Sequence, residues 1–421
     1  MIISNFKSFS IFFLSILSLN FQAQTRKVIT LKENWKFQKG TIENAQNITF
    51  DDAKWQKVSV PHDWAIYGPF DKEIDKQNVA ISQNGENIPT EKTGRTGSLP
   101  HIGTAWYRNK FNLSAVETSK KIMLLFEGAM SEPEVFINGK KVGEWKYGYS
   151  YFYFDISENI IKGKNTIAVK LTNKEFASRW YPGAGLYRNV RLIIKNQESI
   201  AQWGTFITTP FVTDSLAKIN IKTSINSNKG FVKTTIFDAE GKALISQESS
   251  SVFGHEFEQN IPLENPTLWS PENPYLYTAK TEYFVNNKLS DEITTRFGVR
   301  KIEFTREKGF VLNGEITKFK GVCLHHDLGP LGTAINKAAL KRQMIILKDM
   351  GVNAIRSSHN MPSFEQLELA DEMGFLFLAE SFDEWKKPKV ENGYNRFFDE
   401  YAEKDIVNLV RATRNHPSIV M

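Results

Sequence analysis

Three apolar runs in the last third of the chain each end in side chains capable of acid–base or hydrogen-bonding chemistry. These side chains are His325, His326 and Asp327 after the first run, Arg356 and His359 at the second, and Glu380, Asp383 and Glu384 after the third. Four of the seven histidines lie after residue 320. Imidazole, guanidinium and carboxylate groups gathered in one cleft can bind several hydroxyl groups and pair with catalytic carboxylates. Each group could instead be a satisfied structural one, but three similar run ends make that alternative weaker.

A metal site is the second chemistry that His, Asp and Glu could provide. No pair among these residues shows a ligand spacing such as His-Glu-x-x-His. The sequence therefore gives little support to a metal centre.

Strands and helices alternate after Lys301, and this order would bring the three groups together. We predict strands at Lys318–His325, Asn353–His359 and Phe375–Glu380, helices at Lys337–Met350, Ser363–Met373 and Arg396–Arg414, and the start of a fourth strand at Ser418–Met421. Gly351 and Gly374 stand where the first two helices should end. Repeated βα units with polar residues at the carboxyl ends of the strands are typical of a (β/α)8 TIM barrel, whose sites lie on that face.

The length of this segment does not suffice for a closed barrel. A complete one takes about 250 residues, whereas residues 301–421 number 121. We expect this domain to be the N-terminal part of a truncated barrel, and a shorter α/β layer is the alternative.

Two β domains precede the barrel segment in the predicted organisation. Residues 24–197 alternate in short runs and are interpreted as a jelly-roll β-sandwich, in which Asn138-Gly139 predicts a tight hairpin and residues 71–102 form one long polar loop. Residues 198–300 suit an immunoglobulin-like β-sandwich, with strands at Ala217–Ser224, Phe231–Asp238 and Leu276–Phe284.

Composition and the N-terminus limit the classes of function. Residues 1–23 carry Lys7 and the apolar run Ile11–Leu17, which together predict a signal peptide and export to the periplasm or the extracellular space. The formal charge of +6 is scattered, so no nucleic-acid partner is predicted, and no later run is long enough for a membrane anchor. The chain has nine tryptophans; burial in sandwich cores is their commoner use, and stacking on sugar rings is the other.

Eight motifs, in this order and spacing, resemble glycoside hydrolase family 2, which includes β-galactosidases, β-glucuronidases and β-mannosidases. The motifs are Val60–Trp64, Thr93–Gly97, Ser178–Val190, Leu268–Tyr277, Gly321–Asp327, Asn353–Asn360, Ala379–Trp385 and Arg414–Ile419. The resemblance implies a retaining, exo-acting hydrolase of terminal β-linked sugars, with β-galactosidase as the first choice and β-glucuronidase or β-mannosidase as the alternative. A non-catalytic carbohydrate-binding protein is the alternative of another class.

The resemblance implies that both catalytic glutamates are absent from this chain. The family's acid/base glutamate would fall about six residues beyond Met421, and the nucleophile much further on. The 421-residue chain is therefore expected to be inactive by itself.

The resemblance also implies a set of substrate-binding residues: His325, Arg356, His359, Glu384, Asp63, Arg179 and Trp180. In the family, the histidines contact the sugar, the arginine orients the nucleophile and the glutamate lies on the rim of the active site. No cofactor is implied. Metal-dependent relatives use a histidine two residues after that glutamate for Mg²⁺, but this chain has Trp385 and Lys386, which argues against such a site. The implied partner is a β-linked oligosaccharide or polysaccharide side chain, and the sequence leaves open whether the protein forms a homo-oligomer.

Overall fold

The computed structural model describes residues 25–421 except 75, 81, 93–95 and 251. The predicted signal peptide and most of the Thr93–Gly97 motif lie outside the described residues. Among those that are described, no helix is both long enough and apolar enough to cross a membrane.

The first unit is a β-sandwich with short helical turns. Its elements are β1 (Arg26–Thr30), β2 (Trp35–Lys39), β3 (Gln56–Val58), β4 (Gln77–Val79), β5 (Thr90–Lys92), β6 (Gly103–Leu113), α1 (Ala115–Thr118), β7 (Lys121–Phe126), β8 (Glu134–Ile137), β9 (Lys140–Glu144), β10 (Phe152–Asp155), β11 (Gly163–Asn173) and β12 (Val190–Lys195), with 3-10 turns at Ala65–Tyr67, Ser82–Asn84 and Ser157–Asn159. One sheet has the order β1-β12-β7-β10 and the facing sheet the order β3-β2-β6-β11-β8-β9. The side chains between them include the fully buried Trp35, Phe126 and Leu171, so the core lies between the two sheets.

Two predictions about loops of this unit have different outcomes. Asn138 and Gly139 adopt φ values of 50° and 83° between β8 and β9, which confirms the tight hairpin. The prediction of one long loop over residues 71–102 is wrong, because β4 and β5 pair as a small antiparallel ladder within it. These three-residue strands are polar and lack an alternating apolar pattern, so their sequence gives no strand signal.

The second unit is an antiparallel sandwich of the predicted immunoglobulin-like kind. Its strands are β13 (Ile200–Val212), β14 (Leu216–Ile225), β15 (Phe231–Phe237), β16 (Ala243–Ser249), β17 (Val252–Phe253), β18 (Glu256–Glu264), β19 (Tyr277–Val285) and β20 (Lys288–Phe297). The sheets have the orders β13-β14-β18-β17 and β16-β15-β19-β20. Inward-facing residues such as Ile219, Ile236 and Tyr277 alternate with outward-facing ones and form the core. The three predicted strands correspond to β14, β15 and β19.

The third unit begins with a small antiparallel sheet and continues as alternating strands and helices. Its elements are β21 (Ile302–Thr305), β22 (Gly309–Leu312), β23 (Glu315–Ile316), β24 (Gly321–Leu324), α2 (Lys337–Asp349), β25 (Ala354–Ser357), α3 (Phe364–Met373), β26 (Leu376–Leu378) and α4 (Phe398–Thr413), with 3-10 turns at Gly329–Leu331 and Tyr394–Phe397. The strands β24, β25 and β26 pair in parallel in that order. Ile419 forms a further parallel bridge to Phe377, next to β26. This is the βα order that the sequence predicts for the start of a barrel.

Local sequence explains where the barrel helices begin and end. The side chain of Asn336 accepts the Ala339 N–H at the start of α2, and Ser363 accepts the Gln366 N–H at the start of α3. Gly374 ends α3 in the left-handed conformation, with φ of 68°. The interpretation of Lys318–His325 as a buried strand is wrong: β24 is shorter and exposes Cys323, because it is the outer strand of the described parallel sheet.

Buried polar contacts join the first unit to the third. The guanidinium of Arg188 is 1% exposed and donates to the backbone oxygens of Met361 at 2.8 Å and Pro362 at 3.1 Å. Asp405 of α4 is fully buried and accepts the indole N–H of Trp145 at 2.8 Å. These contacts fix the loops of the sandwich against the carboxyl ends of the parallel strands.

Candidate active site

The predicted strand-end residues meet at one edge of the parallel sheet. Arg356 lies in β25, and His325, His359 and Glu380 follow β24, β25 and β26 respectively. Since the carboxyl ends of parallel strands share an edge, the segments that follow β25 and β26 open onto one recess of about 480 Å³, and the ring of His325 meets that of His359 beside it. The recess is lined by Arg179, Arg356, His359, Ala379, Glu380, Ser381, Phe382, Asp383, Trp385 and Lys389.

Glu380 is the centre of a hydrogen-bonded cluster in this recess. One carboxylate oxygen accepts the Nε–H of Arg356, and the other lies 3.1 Å from Nδ1 of His359. Nη2 of Arg356 lies 3.2 Å from the same Nδ1. The backbone N–H of Glu380 donates to the Ser357 hydroxyl at 3.0 Å, which fixes the carboxylate to β25. The cluster holds the guanidinium and the imidazole in one orientation before any ligand arrives.

Trp180 brings an aromatic wall from the first unit to the two histidines. Its ring centroid lies 4.9 Å from that of His325 and 5.7 Å from that of His359. The indole N–H donates to the Tyr149 hydroxyl at 3.1 Å, which fixes the ring. Partial burial, followed by the nearby His359, lowers the pKa of His325. His325 is therefore neutral at neutral pH and can both donate and accept hydrogen bonds with hydroxyl groups.

Arg179 forms an ion pair with Asp383 at the edge of the recess. Nη2 of Arg179 lies 2.7 Å from Oδ1 and 2.9 Å from Oδ2 of Asp383, and Nε lies 3.2 Å from Oδ2. Lys389 donates to Oδ1 of the same carboxylate at 2.9 Å. Burial opposes ionisation, yet the hydrogen bonds from Arg179 and Lys389 hold the pKa of Asp383 below its ordinary value. Asp383 therefore stays ionised and anchors the loop of the first unit to the barrel.

Asp63 lies apart from the recess and is saturated by protein donors. Its carboxylate accepts the Tyr181 hydroxyl at 2.7 Å, the Ala65 N–H at 3.1 Å, and both the N–H and the hydroxyl of Thr333 at 2.9 Å. Burial raises the pKa of Asp63 even though these bonds oppose the shift. The contacts indicate a structural role in joining the two units, and sugar binding by Asp63 stays an untested prediction.

The Glu384 carboxylate also accepts its hydrogen bonds from the protein itself. It is 5% exposed and accepts backbone N–H groups from Lys389, from Val390 at 3.2 Å and from Asn395 at 3.1 Å. A Cβ atom at Gly393 would lie 1.8 Å from Oε2 of Glu384, so only glycine permits this close approach. Both oxygens hold the loop of residues 384–395, and the carboxylate does not fit the role of a Mg²⁺ ligand. Within the described residues, no group of three or more His, Cys, Asp or Glu is placed to hold a metal ion.

His326 contributes to packing at the back of the site. Its Nε2 lies 3.0 Å from the backbone oxygen of Pro182, and its ring meets Tyr149 edge to face at a centroid distance of 4.9 Å. Burial lowers the pKa of His326 to about 3, so the ring is neutral at any ordinary pH. Sequence reasoning placed His326 beside His325, but the two rings have different neighbours: His326 meets Tyr149 and Tyr187, whereas His325 meets Trp180 and His359.

Sequence reasoning missed two residues that shape the site. Tyr149 fixes Trp180, and Lys389 completes the ion pair around Asp383. The lysines that follow the third strand were a signal for Lys389, whereas Tyr149 is remote in sequence and gave none. The remaining predicted residues, His325, Arg356, His359, Arg179 and Trp180, are brought together, and their roles in binding stay predictions.

Family comparisons agree with this architecture along nearly the whole chain. The sugar binding domain of glycosyl hydrolases family 2 matches residues 29–196, a further model described as glycosyl hydrolases family 2 matches residues 199–300, and the family's TIM barrel domain matches residues 303–421. The chain belongs to glycoside hydrolase family 2.

Individual relatives carry different activities in their names. A beta-galactosidase of Bacteroides ovatus, BoGH2A, is 38% identical over 399 residues, which cover 92% of this chain and 45% of the relative. A beta-glucuronidase of Bacteroides fragilis is 27% identical and matches 97% of this chain and 57% of its own length. The crystal structure of a beta-glycosidase from Bacteroides vulgatus superposes with a TM-score of 0.83 at 33% identity, over 94% of this chain and 50% of that one. The chain thus spans about half the length of the curated relatives it matches.

Proposed function

We propose that this chain is the sugar-binding portion of a retaining, exo-acting glycoside hydrolase that removes terminal β-linked sugars, most closely a β-galactosidase. The observation that carries the proposal is the preorganised cluster of Arg356, His359 and Glu380 beside the wall formed by Trp180. Hydrogen-bonding groups beside an aromatic face are what recognition of a sugar ring requires. The chain's membership of family 2 supports hydrolysis as the reaction.

Three side chains of the recess and its surroundings would bind the sugar or orient the nucleophile in such a reaction. Retaining hydrolysis uses an acid/base and a nucleophilic carboxylate about 5 Å apart, and the family pattern puts both after the Arg414–Ile419 motif. The neutral His325, together with His359, binds hydroxyl groups of the sugar. The permanent positive charge of Arg356, fixed by Glu380, favours the ionised form of a carboxylate brought near it and thus an active nucleophile.

Charge pairing in the recess favours a neutral sugar over a glucuronide. The cations that line the recess in the described part of the chain are Arg179, Arg356 and Lys389. Arg179 and Lys389 are both paired with Asp383, and Arg356 with Glu380. A substrate carboxylate would have to compete with these protein carboxylates for its cation. A galactoside makes no such demand.

The N-terminal pattern supports an exported enzyme. The charged and apolar segments of residues 1–23 are those of a signal peptide, so we place the protein in the periplasm or outside the cell. Its partner there would be a β-linked oligosaccharide or the side chain of a polysaccharide.

Hydrolysis of matched substrates tests the proposal. Protein expressed from the complete reading frame is incubated with the 4-nitrophenyl β-galactoside, β-glucuronide and β-mannoside, and the 421-residue chain is assayed in parallel. We expect the highest kcat/KM for the galactoside and no turnover by the 421-residue chain. Preference for either rival sugar would replace the assigned specificity, and turnover by the shorter chain would contradict the placement of both glutamates. Sugar binding without hydrolysis by either protein would favour the carbohydrate-binding alternative.

A further inference from the structure

Trp385 is the most exposed tryptophan of this chain. All nine tryptophans lie in the described part, and the other eight are buried or half-buried, whereas Trp385 is 62% exposed. An indole left in water forgoes one of the largest apolar contributions that a side chain can make to folding. In the described part of the chain its face is open.

The ring of Trp385 is held in place although it is exposed. It stacks on Phe398, the first residue of α4, at a centroid distance of 5.8 Å and an interplanar angle of 24°. Phe382 meets it edge to face at 6.2 Å. Phe398 in turn packs edge to face on Phe382 at 5.6 Å, so the support is itself part of a packed aromatic cluster. The result is a supported aromatic face on a short loop.

This face lines the same recess as the Glu380 cluster. Trp385 shares the recess with Arg356, His359 and Glu380. The aromatic contacts of His359 come from Trp180 and His325, on the side where the first unit approaches, whereas those of Trp385 come from Phe382 and Phe398. The polar cluster thus has two separate aromatic neighbours: Trp180, which meets His359, and Trp385, which lines the recess itself.

We propose that Trp385 is the stacking platform for the second sugar ring of the substrate, the one on the leaving-group side of the scissile bond. This inference rests on the proposed function, which assigns the first ring to the polar cluster. A ring bonded to the first one must lie beside that cluster in the same recess, where Trp385 presents its face. The apolar C–H face of a pyranose stacks on an aromatic ring, and a pre-oriented indole binds it at little entropic cost.

Calorimetric titration of the 421-residue chain separates the two rings. The ligands are methyl β-galactoside, which has the first ring alone, and lactose, which adds a β-linked glucose. For Trp385→Ala we expect the affinity for lactose to fall about tenfold and that for methyl β-galactoside to stay unchanged. Trp385→Phe keeps a ring on Phe398 and should retain most of the affinity for lactose.

A matched control is Phe304→Ala. Phe304 is an aromatic residue that is 53% exposed on β21, and it packs on Phe310, which clusters with residues at the opposite ends of β25 and β26. This variant should bind both ligands as the wild type does. Equal losses for both ligands in Trp385→Ala, unchanged affinity for lactose, or binding of neither ligand by the wild-type chain in any sugar series would overturn the platform.

A second pair of ligands separates this inference from the proposed specificity. Methyl β-glucuronide and a glucuronosyl-β-glucose disaccharide are titrated in the same way. If only the glucuronide pair binds and Trp385→Ala selectively weakens the disaccharide, the galactosidase assignment fails and the platform stands. If the galactoside pair binds and Trp385→Ala has no selective effect, the platform fails and the proposed function stands.

Discussion

At the scale of single residues, the cluster around Glu380 depends on one carboxylate that serves two partners. Arg356 and His359 both contact this carboxylate, and the guanidinium also lies beside Nδ1 of His359. The three groups therefore form one mutually contacting cluster. A group that orients two others affects binding beyond its own contacts, because both partners lose their preferred position when it is removed.

Glu380→Gln is expected to weaken sugar binding without unfolding the chain. The amide keeps one acceptor but loses the charge that holds Arg356. We expect the affinity for methyl β-galactoside to fall about tenfold, or about 1.4 kcal/mol. The melting temperature should change by less than about 2 °C, because a partly exposed ion pair contributes little to stability. Calorimetric titration and scanning calorimetry measure the two effects.

Glu368→Gln provides the control for that charge change. Glu368 pairs with Lys337 at 2.7 Å on the exposed faces of α2 and α3. Its loss should leave the affinity unchanged. An affinity of the Glu380→Gln chain equal to that of the wild type, or a melting temperature that falls together with its affinity, would refute the orienting role.

The same scale shows what residue types in sequence can and cannot predict. His325, Arg356 and His359 were predictable as neighbours, because parallel strands bring their carboxyl ends to one edge. The different situation of Glu384 was not predictable. A carboxylate at a strand end looks the same in sequence whether it faces a ligand or accepts backbone N–H groups from a loop that folds over it. Which donors satisfy it depends on the course of residues 384–395.

At the scale of elements, the helices were more predictable than the strands. The apolar spacing, polar N-caps and terminal glycines of α2 and α3 are local signals, and both helices lie within a residue or two of their predicted limits. The start of α4 was placed too early, because the 3-10 turn Tyr394–Phe397 continues the apolar pattern ahead of it. The barrel strands have only three or four residues, so their limits depend on pairing across the sheet.

Strand β12 carries a charged group whose burial makes stability depend on pH. Lys195 is 2% exposed and donates to the backbone oxygen of Ile200 at 2.7 Å. Arg26 donates to the same oxygen at 3.0 Å and is paired with Asp291. Burial, and then the charge of Arg26, lower the pKa of Lys195 from 10.5 to about 7.

The direction in which stability changes with pH follows from the protons that the folded and the unfolded chain bind. Below pH 7 the lysine is charged in both the folded and the unfolded state, and the folded state bears the full cost of a buried charge. Between pH 7 and 10.5 the unfolded chain binds a proton that the folded chain lacks, so the wild type gains stability as pH rises through this window.

Lys195→Met should therefore be more stable than the wild type at pH 6, by on the order of a few kcal/mol. The advantage should shrink steadily as pH rises to 10. Scanning calorimetry of both proteins at several pH values gives the difference in melting temperature. Lys164→Met, which replaces an exposed lysine on β11, is the control and should show a difference that does not vary with pH. A constant difference for Lys195→Met would mean that Lys195 does not titrate in this range.

At the scale of the whole molecule, the site exists only because two units are docked on each other. Trp180 and Arg179 come from the first unit, whereas His325, His359 and Asp383 come from the third. The family pattern in the sequence predicts that the two units meet. It does not indicate which residues make the contacts that hold them together. Arg188 lies within one of the motifs, yet nothing in its sequence indicates that its guanidinium crosses to the barrel.

Arg188 is the contact on which this docking depends most. Besides the backbone oxygens of Met361 and Pro362, its guanidinium donates to those of Glu127 at 3.3 Å and Tyr149 at 3.4 Å. Met361 and Pro362 lie two and three residues after the strand-end residue His359. A single buried group thus ties the wall that carries Tyr149 to the segment that carries His359.

Arg188→Met is expected to loosen the two units from each other. The substitution leaves buried carbonyl groups without donors, which costs on the order of 3 kcal/mol. We expect a single melting transition in the wild type, and in the variant a lower transition that separates the third unit from the sandwich, with reduced affinity for methyl β-galactoside. Arg296→Met is the matched control, because Arg296 pairs with Glu372 at 2.7 Å where both side chains are about two-fifths exposed. That control should melt as the wild type does. Equal effects of the two substitutions on the melting profile would show that docking does not depend on Arg188, and the site would then have to be held together by the contacts of Asp405 and Asp63 instead.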